Sequence, residues 1–212
     1  MPSRRFQILV LLLVFLGVAA LLGANAYHSW REERHKYIHD AIAVVCRLGG
    51  NLKYEGTNEA LDPREIRLIA APVTLDDMRQ ITRLTSVRKL NLSACPVDDD
   101  YADAIAAFPK LEVLYLATTK ITDRGVERLR GLSKLKDLSL ADTAVTNACL
   151  KDVAALTELR DLQLLDTAIT DAGLRELHSL RKLESIYLQG TNVTDAGVAE
   201  LEKAIPGVTV YR

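Results

Sequence analysis

From Pro63 to Gly197 the apolar positions recur every 24 residues, with no insertion or deletion. One column holds Val87, Leu111, Leu135, Leu159 and Leu183. Three residues later stand Ile66, Leu90, Leu114, Leu138, Leu162 and Ile186, and two further on Leu68, Leu92, Leu116, Leu140, Leu164 and Leu188. Val73, Val97, Ile121, Val145, Ile169 and Val193 form the next column. Within a unit the spacing changes character. Leu111-Glu-Val-Leu-Tyr-Leu116 alternates at period two, which predicts a short parallel strand. Thr-x-Ile-Thr-Asp follows, a turn whose Thr and Asp side chains can satisfy free amides at a helix start. Asp123, Asp171 and Asp195 recur at that start and read as caps. Helical spacing comes next, as in Val126, Leu129 and Leu132, or Leu174, Leu177 and Leu180. Roughly seven apolar positions per unit point inward, more than one unit can bury alone, so the units must stack. The expected fold class is α/β: a right-handed solenoid of parallel strands, one helix per unit, filling 63–212 with about six repeats. Pro206-Gly207 breaks the last helix, and Val208-Thr-Val210 is expected to close the stack.

The first 62 residues follow other patterns. Phe6 to Ala26 is almost wholly apolar, with Gln7 and Asn25 as the polar exceptions. As a helix it would span about 31 Å, enough for a hydrocarbon core of about 30 Å. Arg4 and Arg5 precede it, and Trp30, Arg31, Arg34 and Lys36 follow, a plausible interfacial flank. Residues 1–28 therefore read as a membrane anchor. Ala24-Asn25-Ala26 also fits a signal-peptidase site, so cleavage after Ala26 and secretion is the alternative. The short Arg-containing tail before a long domain favours placing the repeats outside the cytoplasm. Residues 29–62 read as a cap for the solenoid. Ile38, Ala41, Ile42, Val45 and Leu48 lie on one helical face, Gly49-Gly50 supplies the stop, and Asn51 to Glu55 alternates like a strand.

Composition narrows the function more than it names it. With 49% hydrophobic but only 5% aromatic residues, the core must be built from Leu, Val, Ile and Ala. A net charge of −1 gives no electrostatic reason to expect nucleic acid as a partner. Cys46, Cys95 and Cys149 stand at wide, unrelated spacings that match neither a disulfide framework nor a zinc site. His35 and His39, one turn apart with Glu32 a turn earlier, are the one pattern that suggests a metal, but a fourth ligand is missing. No phosphate loop or nucleophile elbow is present. The sequence implies no enzyme, no cofactor and no metal.

The motif Leu-x-x-Leu-x-Leu-x-x-Thr-x-Ile/Val-Thr resembles the leucine-rich repeat, over about 150 residues from Pro63 onward. That family usually carries Asn or Cys where this chain has Thr119, Thr143, Thr167 and Thr191, and there the side chain bonds the turn backbone in a ladder along the solenoid. Cys95 occupies the slot in its own unit. The wording Ile-Thr-Asp-x-Gly-Leu is similar to repeats of F-box leucine-rich repeat proteins and of bacterial internalin-like proteins. The overall layout most resembles bacterial membrane-anchored leucine-rich repeat proteins. No segment resembles an F-box. The resemblance implies a protein-binding solenoid.

Outward strand positions then become the candidate site. One column is Arg67, Asn91, Tyr115, Ser139, Gln163 and Tyr187, and a second is Glu65, Lys89, Val113, Asp137, Asp161 and Ser185. A third, just beyond the strands, is Ile69, Ser93, Ala117, Ala141, Leu165 and Gln189. Tyr115, Asp137, Asp161, Gln163 and Tyr187 are the predicted centre of a concave protein-binding face. The rival readings are a spacer of the cell envelope without a discrete ligand, and a metal-dependent activity on the histidine helix.

Overall fold

In a computed structural model, the described residues are Ala26, Ser29, 31–54 and 63–212. The apolar segment Phe6–Ala26 lies outside them save for its last residue. Among the described residues no helix is long and apolar enough to cross a membrane. Contacts divide the chain into two units, Met1–His39 and Asp40–Arg212, and the sheet belongs wholly to the second.

Eight three-residue strands pair in chain order: β1 Asn51–Lys53, β2 Glu65–Arg67, β3 Lys89–Asn91, β4 Val113–Tyr115, β5 Asp137–Ser139, β6 Asp161–Gln163, β7 Ser185–Tyr187 and β8 Thr209–Tyr211. From β2 to β8 all pairs are parallel, in a register that advances by 24 residues. Ile66, Leu90, Leu114, Leu138, Leu162 and Ile186 form one continuous row, and all are essentially buried. The expected parallel stack is present. β1 differs, running antiparallel to β2 with Leu52 opposite Ile66.

A helix over 31–47, here α1, precedes β1. Ile38, Ala41 and Val45 are buried as expected and Val44 joins them, while Ile42 and Leu48 are only half-buried. Gly49 takes φ 72° and lets the chain turn off the helix. A Cβ on Gly50 would meet Leu68 Cδ2 at 2.5 Å and Val45 Cγ1 at 2.8 Å, so the turn sits tight against the first coil. Arg47 pairs with the buried Asp77 and ties this cap to α2 (Leu75–Ile81). Burial pushes the Asp77 carboxyl up, but bonds from the Thr74 amide and hydroxyl, with the Arg47 charge, outweigh it and hold the group below its ordinary value.

The remaining helices are α3 (Ala102–Ala106), α4 (Asp123–Leu129), α5 (Leu150–Val153), α6 (Asp171–Leu174) and α7 (Asp195–Ala204). Most are shorter than one expects from the apolar spacing. In the coil of α6 the chain tightens into a 3-10 helix over Arg175–Ser179, and Leu180 follows it. Leu174, Leu177 and Leu180 are all buried there.

The turns carry two regular hydrogen-bond systems. Thr119, Thr143, Thr167 and Thr191 donate their hydroxyls to Leu116, Leu140, Leu164 and Leu188, three residues back in the same coil. Cys95, in the same slot, donates instead to Leu68 of the preceding coil. The threonines therefore fasten each turn to itself. Cross-linking between coils falls to the aspartates. The Asp99 carboxylate accepts from the Thr122 amide at 2.8 Å and hydroxyl at 2.7 Å, Asp123 does the same for Thr146, and Asp171 for Thr194. Asn147 replaces the carboxylate toward Thr170, accepting from its amide and donating to its hydroxyl. This corrects the capping expectation. The threonines Thr122, Thr146 and Thr194 cap their own helices, while Asp123 and Asp171 bond the next coil and Asp195 pairs with Arg212.

Candidate binding face

The sheet has one face turned to the helices and one left open. Alternation puts residue two of each strand inward and residues one and three outward. Register then decides which outward residues touch. Asp137 lies beside Asp161, Tyr115 beside Ser139, Ser139 beside Gln163, and Gln163 beside Tyr187. All five predicted site residues, Tyr115, Asp137, Asp161, Gln163 and Tyr187, thus fall on one patch across β4 to β7. Ser139, expected to point into solvent, is only 2% exposed between its larger neighbours.

Two residues enlarge this patch beyond the predicted set. Tyr211 on β8 stacks on Tyr187 with ring centroids 4.5 Å apart and planes 9° from parallel. The 24-residue step from Tyr187 leads straight to Tyr211, so the repeat itself could have supplied it. Lys89 places its ammonium 5.3 Å from the Tyr115 ring centre, a cation–π geometry that needs two strands in register to exist.

Charge divides the face into two ends. Lys53, Arg67 and Lys89 surround Glu65 near β1 to β3, where Arg67 bonds Glu65 at 3.1 Å and Lys89 approaches it at 3.9 Å. The surroundings form open hollows lined in part by Lys53, Arg64, Glu65, Arg67, Arg88 and Lys89. On β5 and β6 stand Asp137 and Asp161, neither in a salt bridge among the described residues; Asp161 accepts from Gln163 at 3.2 Å. Burial pushes both carboxyls above their ordinary values, and the Asp161 charge adds to the rise at Asp137. Burial, with Asp137 and Asp161, also raises the Tyr115 phenol. Along the rim the carboxylates are matched: Glu112 pairs with both Arg88 and Lys136, and Glu184 with Arg160. Hydrogen bonds from Lys136 hold the Glu112 carboxyl below its usual range despite partial burial.

Other groups offer no chemistry of this kind. Cys95 and Cys149 are buried, and burial pushes both thiols up, away from nucleophilic thiolate. Among the described residues no three His, Cys, Asp or Glu side chains gather to hold a metal, the His35 and His39 helix included.

Neither a protein-family model nor a curated protein matches the sequence. Solved structures do. Internalin C2 of Listeria monocytogenes superimposes with a TM-score of 0.54 at 25% identity, over 69% of this chain and 69% of that one. An internalin F of the same organism is 20% identical with a TM-score of 0.45, and this chain covers 43% of its length. A leucine-rich repeat protein of Leptospira interrogans is 19% identical with a TM-score of 0.45, and 33% of it is covered. With the 24-residue register and the internalin C2 superposition together, the chain is a leucine-rich repeat protein whose repeats resemble those of the internalins.

Proposed function

We propose that this chain is a non-enzymatic interaction module that presents the open face of its sheet to a protein partner at a membrane. The observation that carries the reading is the unbroken patch from Tyr115 to Tyr211, aromatic at both ends and carboxylate in the middle. Tyrosine side chains combine apolar area with a polar tip and often dominate binding energy at such surfaces. The helix side carries residues such as Arg128 and Arg175 that are already paired with Asp103 and Glu200. The membrane part of the proposal rests on the apolar segment Phe6–Ala26, whose length suits a bilayer. Crosslinking in native membranes identifies the partner. Tyr115→Ala and Tyr187→Ala are then expected to weaken its binding by about 2 kcal/mol each, while Arg128→Ala and Arg175→Ala leave it unchanged. Loss from the arginine changes alone would refute the open-face assignment. Membrane fractionation with N-terminal sequencing of the mature chain tests retention of the segment against cleavage after Ala26.

A further inference from the structure

The distribution of charge on the open face goes further than the presence of a binding surface. We infer that the partner docks through a polypeptide segment carrying a basic side chain for Asp137 and Asp161 and, separated along the segment, a carboxylate for Arg67. This rests on the open-face reading above and specifies the chemistry of what fills it.

The first support is the contrast between the face and its rim. Rim carboxylates have Lys or Arg partners in the chain, whereas Asp137 and Asp161 sit side by side with no salt bridge among the described residues. Like charges directly opposite on a sheet repel, and the charges of Lys89, Lys136 and Arg160 offset this at Asp137 only in part, since its carboxyl stays above its ordinary value. A basic group from outside would bridge the two carboxylates and remove the repulsion. Tyr115 and Tyr187 stand on the strands that flank the pair.

The second support is the opposite end of the face. Among the described residues Lys53, Arg67 and Lys89 outnumber Glu65 there, an excess of positive charge. From Arg67 on β2 to Asp137 on β5 is three strand steps, about 14 Å at the usual strand spacing. An extended segment rises about 3.3 Å per residue, so the two complementary side chains should stand about four residues apart. A segment with one charge sign throughout would meet repulsion at one end.

Random peptides long enough to reach from β2 to β7, displayed on phage and selected on the full chain in detergent, test the inference. The expected outcome is enrichment of a Lys or Arg about four positions from an Asp or Glu. Peptides so selected should bind about ten-fold more weakly to the Asp137→Asn, Asp161→Asn double variant. That variant is nearly isosteric, and its unchanged circular dichroism confirms that it folds. A second selection on Asp161→Arg should replace the basic residue by an acidic one. Selected peptides with no basic preference, or indifferent to the double variant, would overturn the inference. If those peptides still lose binding with Tyr115→Ala, the open-face reading survives alone. If they respond only to Arg128→Ala or Arg175→Ala, both fail, and if no peptide is enriched the linear-segment inference is wrong.

Discussion

Gly125, Gly173 and Gly197 occupy one column, and each lies under a side chain that bonds the start of its own helix from the coil before. A Cβ on Gly125 would lie 2.5 Å from Asp99 Oδ1 and 2.5 Å from Ile121 Cγ1. Asp99 cannot simply move aside, since its two oxygens are committed to the Thr122 amide and hydroxyl. Gly125→Ala is therefore expected to cost about 1–3 kcal/mol, the range for overpacking, read as a lowered urea midpoint. An unchanged midpoint would mean that the Asp99 link is dispensable. The same column holds Asp77, Tyr101 and Cys149 in the three coils without glycine. The Tyr101 and Cys149 coils open with 3-10 turns, Asp99–Tyr101 and Asn147–Cys149, while the three glycine coils, and α2 with Asp77, open directly as α-helix. At Tyr101 and Cys149 three residues per turn re-aims the third Cβ relative to an α-turn, whereas Asp77 turns its own carboxylate back onto Thr74.

At the scale of strands and helices, burial separates positions that are neighbours in sequence. Leu162 is fully buried in the middle row, and Gln163 beside it faces out. Leu162→Ala should cost about 2–5 kcal/mol, through lost transfer energy and the cavity left behind. Gln163→Ala should change stability by no more than about 0.5 kcal/mol. Equal losses in thermal unfolding would contradict the register. The helices show how far local pattern reaches. The apolar spacing located each one, but its length followed from the turn that leads into the next strand. The row of left-handed residues after the strands, Ala70, Ala94, Thr118, Asp142, Asp166 and Gly190, was also hidden, because glycine marks it only once. Neighbouring coils fix that backbone through bonds such as Ala94 N–H to Ala117 and Thr118 N–H to Ala141, and side-chain type does not report it.

Over the whole molecule, the two groups of shifted carboxylates make opposite contributions to stability as pH changes. Asp137 and Asp161 have raised values in the fold, so their contribution is fully present below the unfolded carboxylate value near 4 and is lost as pH rises through the folded values. Asp77 and Glu112 have lowered values, so theirs is present above the unfolded value and is lost as pH falls through the folded values. The double change Asp137→Asn, Asp161→Asn should accordingly stabilise the protein at pH 7 by about 0.2–1 kcal/mol, the scale of a like-charge pair on a sheet. The gain should vanish near pH 4. Thermal unfolding at the two pH values measures it, and a gain of equal size at both would remove the electrostatic explanation.

The 24-residue period by itself determined the solenoid, the inward rows and the outward columns, because a side chain's face on a strand depends only on odd or even position. It also determined that Tyr115, Asp137, Asp161, Gln163 and Tyr187 would share a surface, since equal repeat lengths bring equivalent positions together. Tertiary structure decided the rest. The antiparallel β1, the Asp-to-Thr links between coils, the Tyr187–Tyr211 stack and, among the described residues, the lack of a salt bridge at Asp137 and Asp161 all depend on which side chains meet across strands and coils. A linear pattern records distance along the chain, whereas ion pairing, stacking and burial are set by distances of a few ångströms through space. For that reason the address of the face was legible in the sequence and its electrostatics were not.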